Sequence, residues 1–276
     1  MIKLSSFARI MSMRFVFFLF ISFLILSIST FSQEKIEEKR YFKSGEKLEF
    51  SINYGWFKLG EAVALHGERK HFLNGEDHYS VDLKAKTVGF LSFIKNVEAH
   101  FLSFMQKRNF KPTYSEKQVL EGKDKWDQTN YFNYDSMTAD VSVHTNRKRP
   151  YRHWIIDLND NTFDILGTYM YLRNVEWGEM NIGDSIMLST LYDRKIYNFG
   201  IESGGFEKVN WQDEDYNAYK LYLLFPISKT FPEEKLVIFW VIEKDGVRLP
   251  VKIEANMRIG KVICELEDYS LPPNYN

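Results

Sequence analysis

The sequence predicts a mainly β protein, built as a large curved antiparallel sheet with one central α-helix. Apolar and polar residues alternate with a period of two along most of the chain, which is the pattern of strands with one buried face. Aromatic residues are abundant, with 23 Phe, 16 Tyr and 6 Trp in 276 residues, and such residues favour strands. The single cysteine allows no internal disulfide, so the stability must come from a packed core.

The strands are predicted in order along the chain. Residues 48–56 alternate without a fault. Val63 and Leu65 begin a second strand, which turns at the two-residue hairpin signal Asn74-Gly75, and Asp245-Gly246 turns a later apolar run. The strand pattern breaks at 109–112 and lapses over 145–162. Similar alternating stretches are 79–85, 97–105, 125–134, 139–143, 186–192, 195–201, 216–225, 236–242 and 262–266. About ten to twelve short strands result, arranged either as a half-barrel or as a two-layer sandwich.

One helix is predicted at the end of residues 145–162, where the strand pattern is absent. Asn161 and Thr162 are good N-cap residues, and Asp164 would follow in the first turn, where the helix dipole favours a negative charge. Arg173 near the other end is interpreted, like Asp164, as a charge matched to the dipole and not as part of a site. The apolar residues that share one face at helical spacing are Phe163, Leu166, Met170 and Val175.

Residues 1–32 have the pattern of a cleavable secretory signal peptide. Basic residues precede an apolar run at 15–26, and the small residues Thr30 and Ser32 occupy the −3 and −1 positions of a cut before Gln33. The apolar run is short for a membrane span, although an uncleaved N-terminal anchor is the alternative. No cysteine lies near the cut. We therefore expect a periplasmic protein that is not a lipoprotein.

Residues 33–276 are expected to form a single β-rich domain that does not span a membrane. No low-complexity linker and no fixed-period repeat divides them. The whole chain has 36 Lys and Arg against 37 Asp and Glu, a net charge of −1. This balance shows no excess of basic residues of the kind that nucleic-acid binding requires, so no nucleic-acid partner is expected.

Catalytic and metal-binding patterns that would specify a site are missing from the sequence. The six histidines lack the spacing of a zinc site and are interpreted as surface or rim residues. Residues 157–161 begin like a calcium loop, but Thr162 and Thr168 stand where that loop needs Gly and Glu. Cys264 lies in an alternating run and is interpreted as a small buried hydrophobe. No cofactor is expected, and the sequence favours a non-catalytic role over an enzyme.

The concentrated charge feature is a basic cluster between two of the predicted strands. It consists of Arg147, Lys148, Arg149 and Arg152. Such a cluster is a candidate for binding an anionic lipid headgroup or a polyanionic glycan. A solvated loop is the alternative interpretation.

Three stretches of the chain resemble parts of a known family. Residues 42–62 (FKSGEKLEFSINYGWFKLGEA) resemble its first two strands, 164–173 (DILGTYMYLR) its helix motif, and 239–253 (FWVIEKDGVRLPVKI) its penultimate hairpin. The family is domain of unknown function 3108, a group of exported bacterial proteins, and the resemblance spans most of 41–269. The residues around the predicted signal-peptide cut, 30–33, resemble those of signal peptides from Bacteroidetes-type bacteria. The resemblance implies export and a single β-rich domain, and it implies no site residue.

Three functions remain open from the sequence. The first is a non-catalytic binding or carrier protein for an apolar or envelope ligand such as a lipid, which predicts an apolar cavity that the side chains do not fill. The second is a structural or envelope-assembly protein that binds another envelope protein, which predicts a filled core and an apolar surface patch. The third is an envelope hydrolase, which predicts a cleft with a perturbed carboxylate or His. The sequence favours them in this order.

Overall fold

A computed structural model describes residues 39–70, 75–89, 92, 96–146, 150–225, 235–256 and 260–272. The expected signal peptide lies outside the described residues, and so do Asn74 of the first hairpin signal and Arg147, Lys148 and Arg149 of the basic cluster. Residues from Arg40 onward belong to one compact unit.

Within these ranges, fifteen strands form one continuous sheet. The first eight are β1 (Lys47–Tyr54), β2 (Phe57–Lys70), β3 (Asp77–Thr87), β4 (Val97–Gln106), β5 (Pro112–Glu121), β6 (Asp124–Asn133), β7 (Thr138–Thr145) and β8 (Arg152–Asp157). The others are β9 (Thr162–Asp164), β10 (Ser185–Tyr192), β11 (Lys195–Trp211), β12 (Glu214–Leu224), β13 (Val237–Lys244), β14 (Val247–Asn256) and β15 (Lys261–Ser270).

The sheet curves back towards itself, as the order of its strands and two contacts between its ends indicate. It runs from β8 down to β1, continues with β15 and ends at β9, so the two edge strands are consecutive in the sequence. The Tyr134 hydroxyl donates a hydrogen bond to the Thr162 carbonyl at 3.0 Å. Lys117 Nζ lies 2.5 Å from Asp193 Oδ1. These contacts join the two ends of the sheet, because one partner of each pair comes from the β5–β7 end and the other from the β9–β11 end.

The predicted fold class is confirmed as one large curved sheet with a helix. Its described strand pairs are antiparallel except β9 and β10, which are parallel, and a two-layer sandwich is not formed. The sheet has more strands than the ten to twelve expected. The break predicted at 109–112 is only a turn, because Phe110 has a positive φ of 58° and Pro112 begins β5, where a missing N–H is tolerated. In residues 145–162, where no strand was predicted, β8 was missed because its exposed Ile155 is as apolar as the half-buried Trp154 and Ile156, so the sequence does not alternate.

The predicted helix is α1 (Ile165–Arg173), which begins later than expected. The N-cap is Asp164, whose Oδ1 accepts a hydrogen bond from the Gly167 backbone N–H at 2.7 Å. The prediction of Asn161 and Thr162 as caps was wrong, because Thr162 bonds back to Asn159 in a local turn and starts β9. In the described part of the chain, no helix has the length and apolar character needed to cross a membrane.

Helix α1 packs against the inner face of the sheet and forms the centre of the main core. Leu166 and Met170 are buried, as their predicted shared face required. The same cluster includes Val81 from β3 and Leu221 from β12. Since these two strands belong to opposite halves of the sheet, the sheet wraps around the helix.

A candidate ligand cavity bounded by a buried charge cluster

A cavity of about 370 Å³ lies between α1 and the inner face of the sheet. Its wall is formed by β1–β3 on one side and β11–β15 on the other. The side chains that line it are Phe50, Ala62, Ala64, Val81, Leu83, Ile165, Leu166, Thr168, Tyr169, Leu172, Arg173, Trp177, Phe199, Ile201, Leu221, Leu223, Phe239, Val241, Pro250, Ile253 and Cys264. Nearly all of them are aliphatic or aromatic, so the wall is apolar.

The polar side chains of Thr168 and Tyr169 in the wall are bonded to other polar side chains of the protein. Thr168 Oγ1 is hydrogen-bonded to Thr190 Oγ1 at 2.7 Å, and Tyr169 interacts with Arg173. Burial raises the pKa of the Cys264 thiol to about 12, so the thiol stays protonated and the predicted role as a small hydrophobe fits its place in the wall. The cavity therefore suits a hydrocarbon group.

Arg173 closes one side of the cavity through a buried ion pair with Glu46, although the sequence analysis interpreted it as a helix-end charge. The guanidinium donates two hydrogen bonds to the Glu46 carboxylate, from Nη1 and Nη2, and both side chains are buried. Its Nε–H donates to the Arg248 carbonyl at 2.8 Å. The geometry is bidentate, which is the strongest arrangement of such a pair.

His66 completes this cluster as a neutral side chain. Its Nδ1 lies 3.2 Å from Glu46 Oε1. Burial and the positive charge of Arg173 lower the pKa of His66 well below its usual value. The expectation that the histidines are surface or rim residues is wrong for His66 and for His78, which are both buried.

Arg248 lies beside this pair and is held by aromatic rings. Its guanidinium carbon is 3.3 Å from the ring centroid of Tyr41 and 4.5 Å from that of Trp177. Its Nη1 donates to the Arg173 carbonyl at 3.1 Å. The two arginines therefore each donate to the backbone carbonyl of the other, and this links the end of α1 to the start of β14.

Glu46, Arg173 and Arg248 come from the three stretches that resemble the family. Sequence reasoning did not bring them together, because 127 residues separate Glu46 from Arg173 and 75 separate Arg173 from Arg248. A weak signal was available for Arg248, which stands within the otherwise apolar run 247–251.

Arg152, the one described member of the basic cluster, does not line the cavity. It is exposed on the edge strand β8 and lies 5.8 Å from the Trp154 ring. Among the described residues, no group of three His, Cys, Asp or Glu side chains is arranged to hold a metal ion.

Asp164 is a buried carboxyl group at the other end of α1. Burial raises its pKa to about 6, although hydrogen bonds from Ser103 and the Gly167 N–H favour the charged form. The folded protein therefore binds this proton more tightly than the unfolded chain, where the pKa is about 3.9. The stabilisation that this tighter proton binding at Asp164 gives is present below about pH 4 and is lost as the pH rises through about 6.

We expect the Asp164→Asn variant to lose this pH dependence, because asparagine still caps a helix but does not titrate. Relative to the variant, the parent protein should lose about 2–3 kcal/mol of unfolding free energy between about pH 4 and pH 7. Urea denaturation of both proteins at several pH values measures this difference. A difference that stays constant with pH would contradict a raised pKa at Asp164.

The fold and the cavity define the class of this protein: a mainly β protein whose curved sheet surrounds a helix and an apolar cavity. The particular family follows from the sequence. A family model described as "Protein of unknown function (DUF3108)" matches residues 49–267, and the chain belongs to this family. The family resemblance found in the sequence is thereby confirmed.

Two solved structures are similar to the chain. A β-barrel-like protein of domain of unknown function DUF1849 from Brucella abortus is 8% identical, covering 82% of this chain and 97% of that chain with a TM-score of 0.53. This likeness shows the fold alone. A DUF1329 family protein from Desulfovibrio piger is 9% identical, covering 85% and 88% of the two chains, and its TM-score of 0.22 carries no argument. No curated protein matches the chain in sequence.

Proposed function

We propose that the protein is an exported, non-catalytic binding or carrier protein for a molecule with a hydrocarbon chain, such as a lipid. The observation that supports this function is the apolar cavity of about 370 Å³. Ligand sites in proteins typically have volumes of about 300–1,000 Å³ and predominantly apolar walls. The carrier hypothesis required a cavity that the side chains do not fill, whereas the partner-protein hypothesis required a filled core.

An apolar wall of this kind gains by contact with an apolar molecule. Each pair of atoms in contact contributes only about 0.1–0.2 kcal/mol, but a hydrocarbon chain would make many such contacts with the wall.

His66 and Asp164 have the shifted pKa values that the hydrolase hypothesis predicts, but neither side chain lines the cavity. The polar groups around the cavity favour binding without catalysis. The Glu46 carboxylate is engaged by Arg173, His66 is kept neutral by burial, and the Cys264 thiol stays protonated. Each of these groups is therefore paired, neutral or protonated, as a packed apolar wall requires. Export is proposed from the pattern of residues 1–32 alone.

Binding of cis-parinaric acid, a fluorescent fatty acid, tests the proposed function. We expect its fluorescence to rise and to saturate at one molecule for each protein chain, because the wall of the cavity is apolar and its volume suits one hydrocarbon chain. Saturated fatty acids should displace the probe, whereas short polar acids such as acetate should not. A titration without saturation, or one that acetate reverses equally well, would contradict a hydrocarbon site.

A further inference from the structure

The turn between β1 and β2 presents aromatic side chains to solvent. Trp56 is 88% exposed and Phe57 is 58% exposed. Their ring centroids are 5.4 Å apart, so the two rings form one small apolar surface. Tyr54, the last residue of β1, is 36% exposed and borders the same surface. We call these three residues the aromatic turn.

The Tyr54 ring lies against Gly260, but the fold does not explain why Trp56 and Phe57 are aromatic. Tyr54 and Phe57 are paired through the backbone and close the hairpin, and Gly55 adopts the positive φ of 59° that the tight turn needs. These are backbone requirements that small polar side chains would meet equally well. A tryptophan exposed in this way therefore points to a partner.

We propose that the aromatic turn inserts into the interfacial layer of a phospholipid bilayer. Tryptophan and tyrosine favour this layer, because their rings have an apolar body and a polar edge. The exposed parts of the three side chains offer roughly 400 Å². A stable protein interface needs about 800 Å² from each partner, so the turn alone is too small for a second protein or a second copy of this chain. A bilayer requires no matching surface.

Among the described residues next to the aromatic turn, positive and negative side chains are balanced. Lys58 Nζ lies 3.0 Å and Lys86 Nζ 3.7 Å from the two oxygens of the Glu61 carboxylate, and Lys86 stands opposite Glu98 in the sheet. Insertion therefore depends on the aromatic rings and not on anionic lipids. Binding should be nearly the same on neutral and anionic vesicles, and salt should change it little.

This inference goes beyond the proposed function, although the same hairpin serves both. Phe50 of β1 and Ala62 of β2 face each other across the pair of strands and both line the cavity. The aromatic turn lies at the end of that hairpin, four residues beyond Phe50 in the sequence. Docking through the turn brings one wall of the cavity to the membrane.

Tryptophan quenching by phosphatidylcholine vesicles with brominated acyl chains tests the inference on the full chain. Residues 1–38 contain no tryptophan, so the signal comes from the folded domain. We expect the brominated vesicles to quench the parent protein and to leave Trp56→Phe nearly unquenched. As a matched control, Trp154→Phe removes a tryptophan from β8, and it should keep the quenching. Phe57→Ser should need at least fivefold more lipid for half-maximal quenching.

Parent fluorescence that brominated lipid leaves unchanged would overturn the inference, and so would quenching that survives in Trp56→Phe. A parent dimer that Trp56→Phe/Phe57→Ser converts to a monomer would also overturn it, because the turn would then be a self-interface. Since both side chains are exposed, these variants should fold normally. Binding of cis-parinaric acid by the same variants is measured separately, so a failure of membrane docking is distinguished from a failure of the carrier function.

Discussion

Replacing Arg173 with methionine is expected to destabilise the protein by about 3–5 kcal/mol. Methionine keeps the apolar stem of the side chain but removes the charge that balances Glu46. The carboxylate would then stay buried without a cation, and the Arg248 carbonyl would lose the hydrogen bond from Arg173 Nε. Urea denaturation at neutral pH measures the loss. A change below about 1 kcal/mol, the range of exposed pairs, would contradict a structural role for this ion pair.

Two further variants separate the ion pair from general effects of substitution. Lys58→Met breaks an exposed pair in which the lysine lies 3.0 Å from Glu61, and it should cost less than about 1 kcal/mol. The double variant Glu46→Gln/Arg173→Met removes both buried charges, so it should be more stable than Arg173→Met alone. The coupling between the two positions follows from the double-mutant cycle.

Filling the cavity is expected to abolish ligand binding while the protein stays folded. Ala62 points into the cavity, so the indole of Ala62→Trp would occupy space that the hydrocarbon chain needs. We expect the affinity for cis-parinaric acid to fall at least tenfold. The added side chain should change the unfolding free energy by about 1–3 kcal/mol at most.

The neighbouring residue provides the matched control. Val63 lies on the opposite face of β2 and borders a groove on the outside of the sheet, because adjacent side chains in a strand point to opposite faces. Val63→Trp should bind the probe as the parent does. Equal affinity in Ala62→Trp and the parent would place the ligand outside the cavity.

The sequence was sufficient to predict most of the fold, because alternation reports directly on which face of a strand is buried. It failed where burial is weak or interrupted. β8 is an edge strand with an exposed Ile155. β11 continues to Trp211, beyond the predicted end at 201, because the chain passes through a bulge between Ser203 and Phe206 and keeps its pairing.

The candidate site was much harder to predict. Alternation over 48–56 places Phe50 on the apolar face of its strand, but a cavity is a volume that neighbouring side chains leave unfilled, and no single residue encodes it. The pairing of Glu46 with Arg173 depends on how the helix lies across the sheet. The basic cluster was predicted as a candidate site because its charges are adjacent in the sequence. The buried charges of Glu46, Arg173 and Arg248 are adjacent only in the fold.

Native mass spectrometry of the protein, purified gently from the cells that make it, tests the central claim most directly. The carrier function predicts a complex of one chain with one apolar molecule, and solvent extraction should identify a hydrocarbon chain in that molecule. The same spectrum shows whether the chain begins at Gln33, as export with signal cleavage predicts. A folded protein that carries no molecule would contradict the proposal that this cavity holds a lipid.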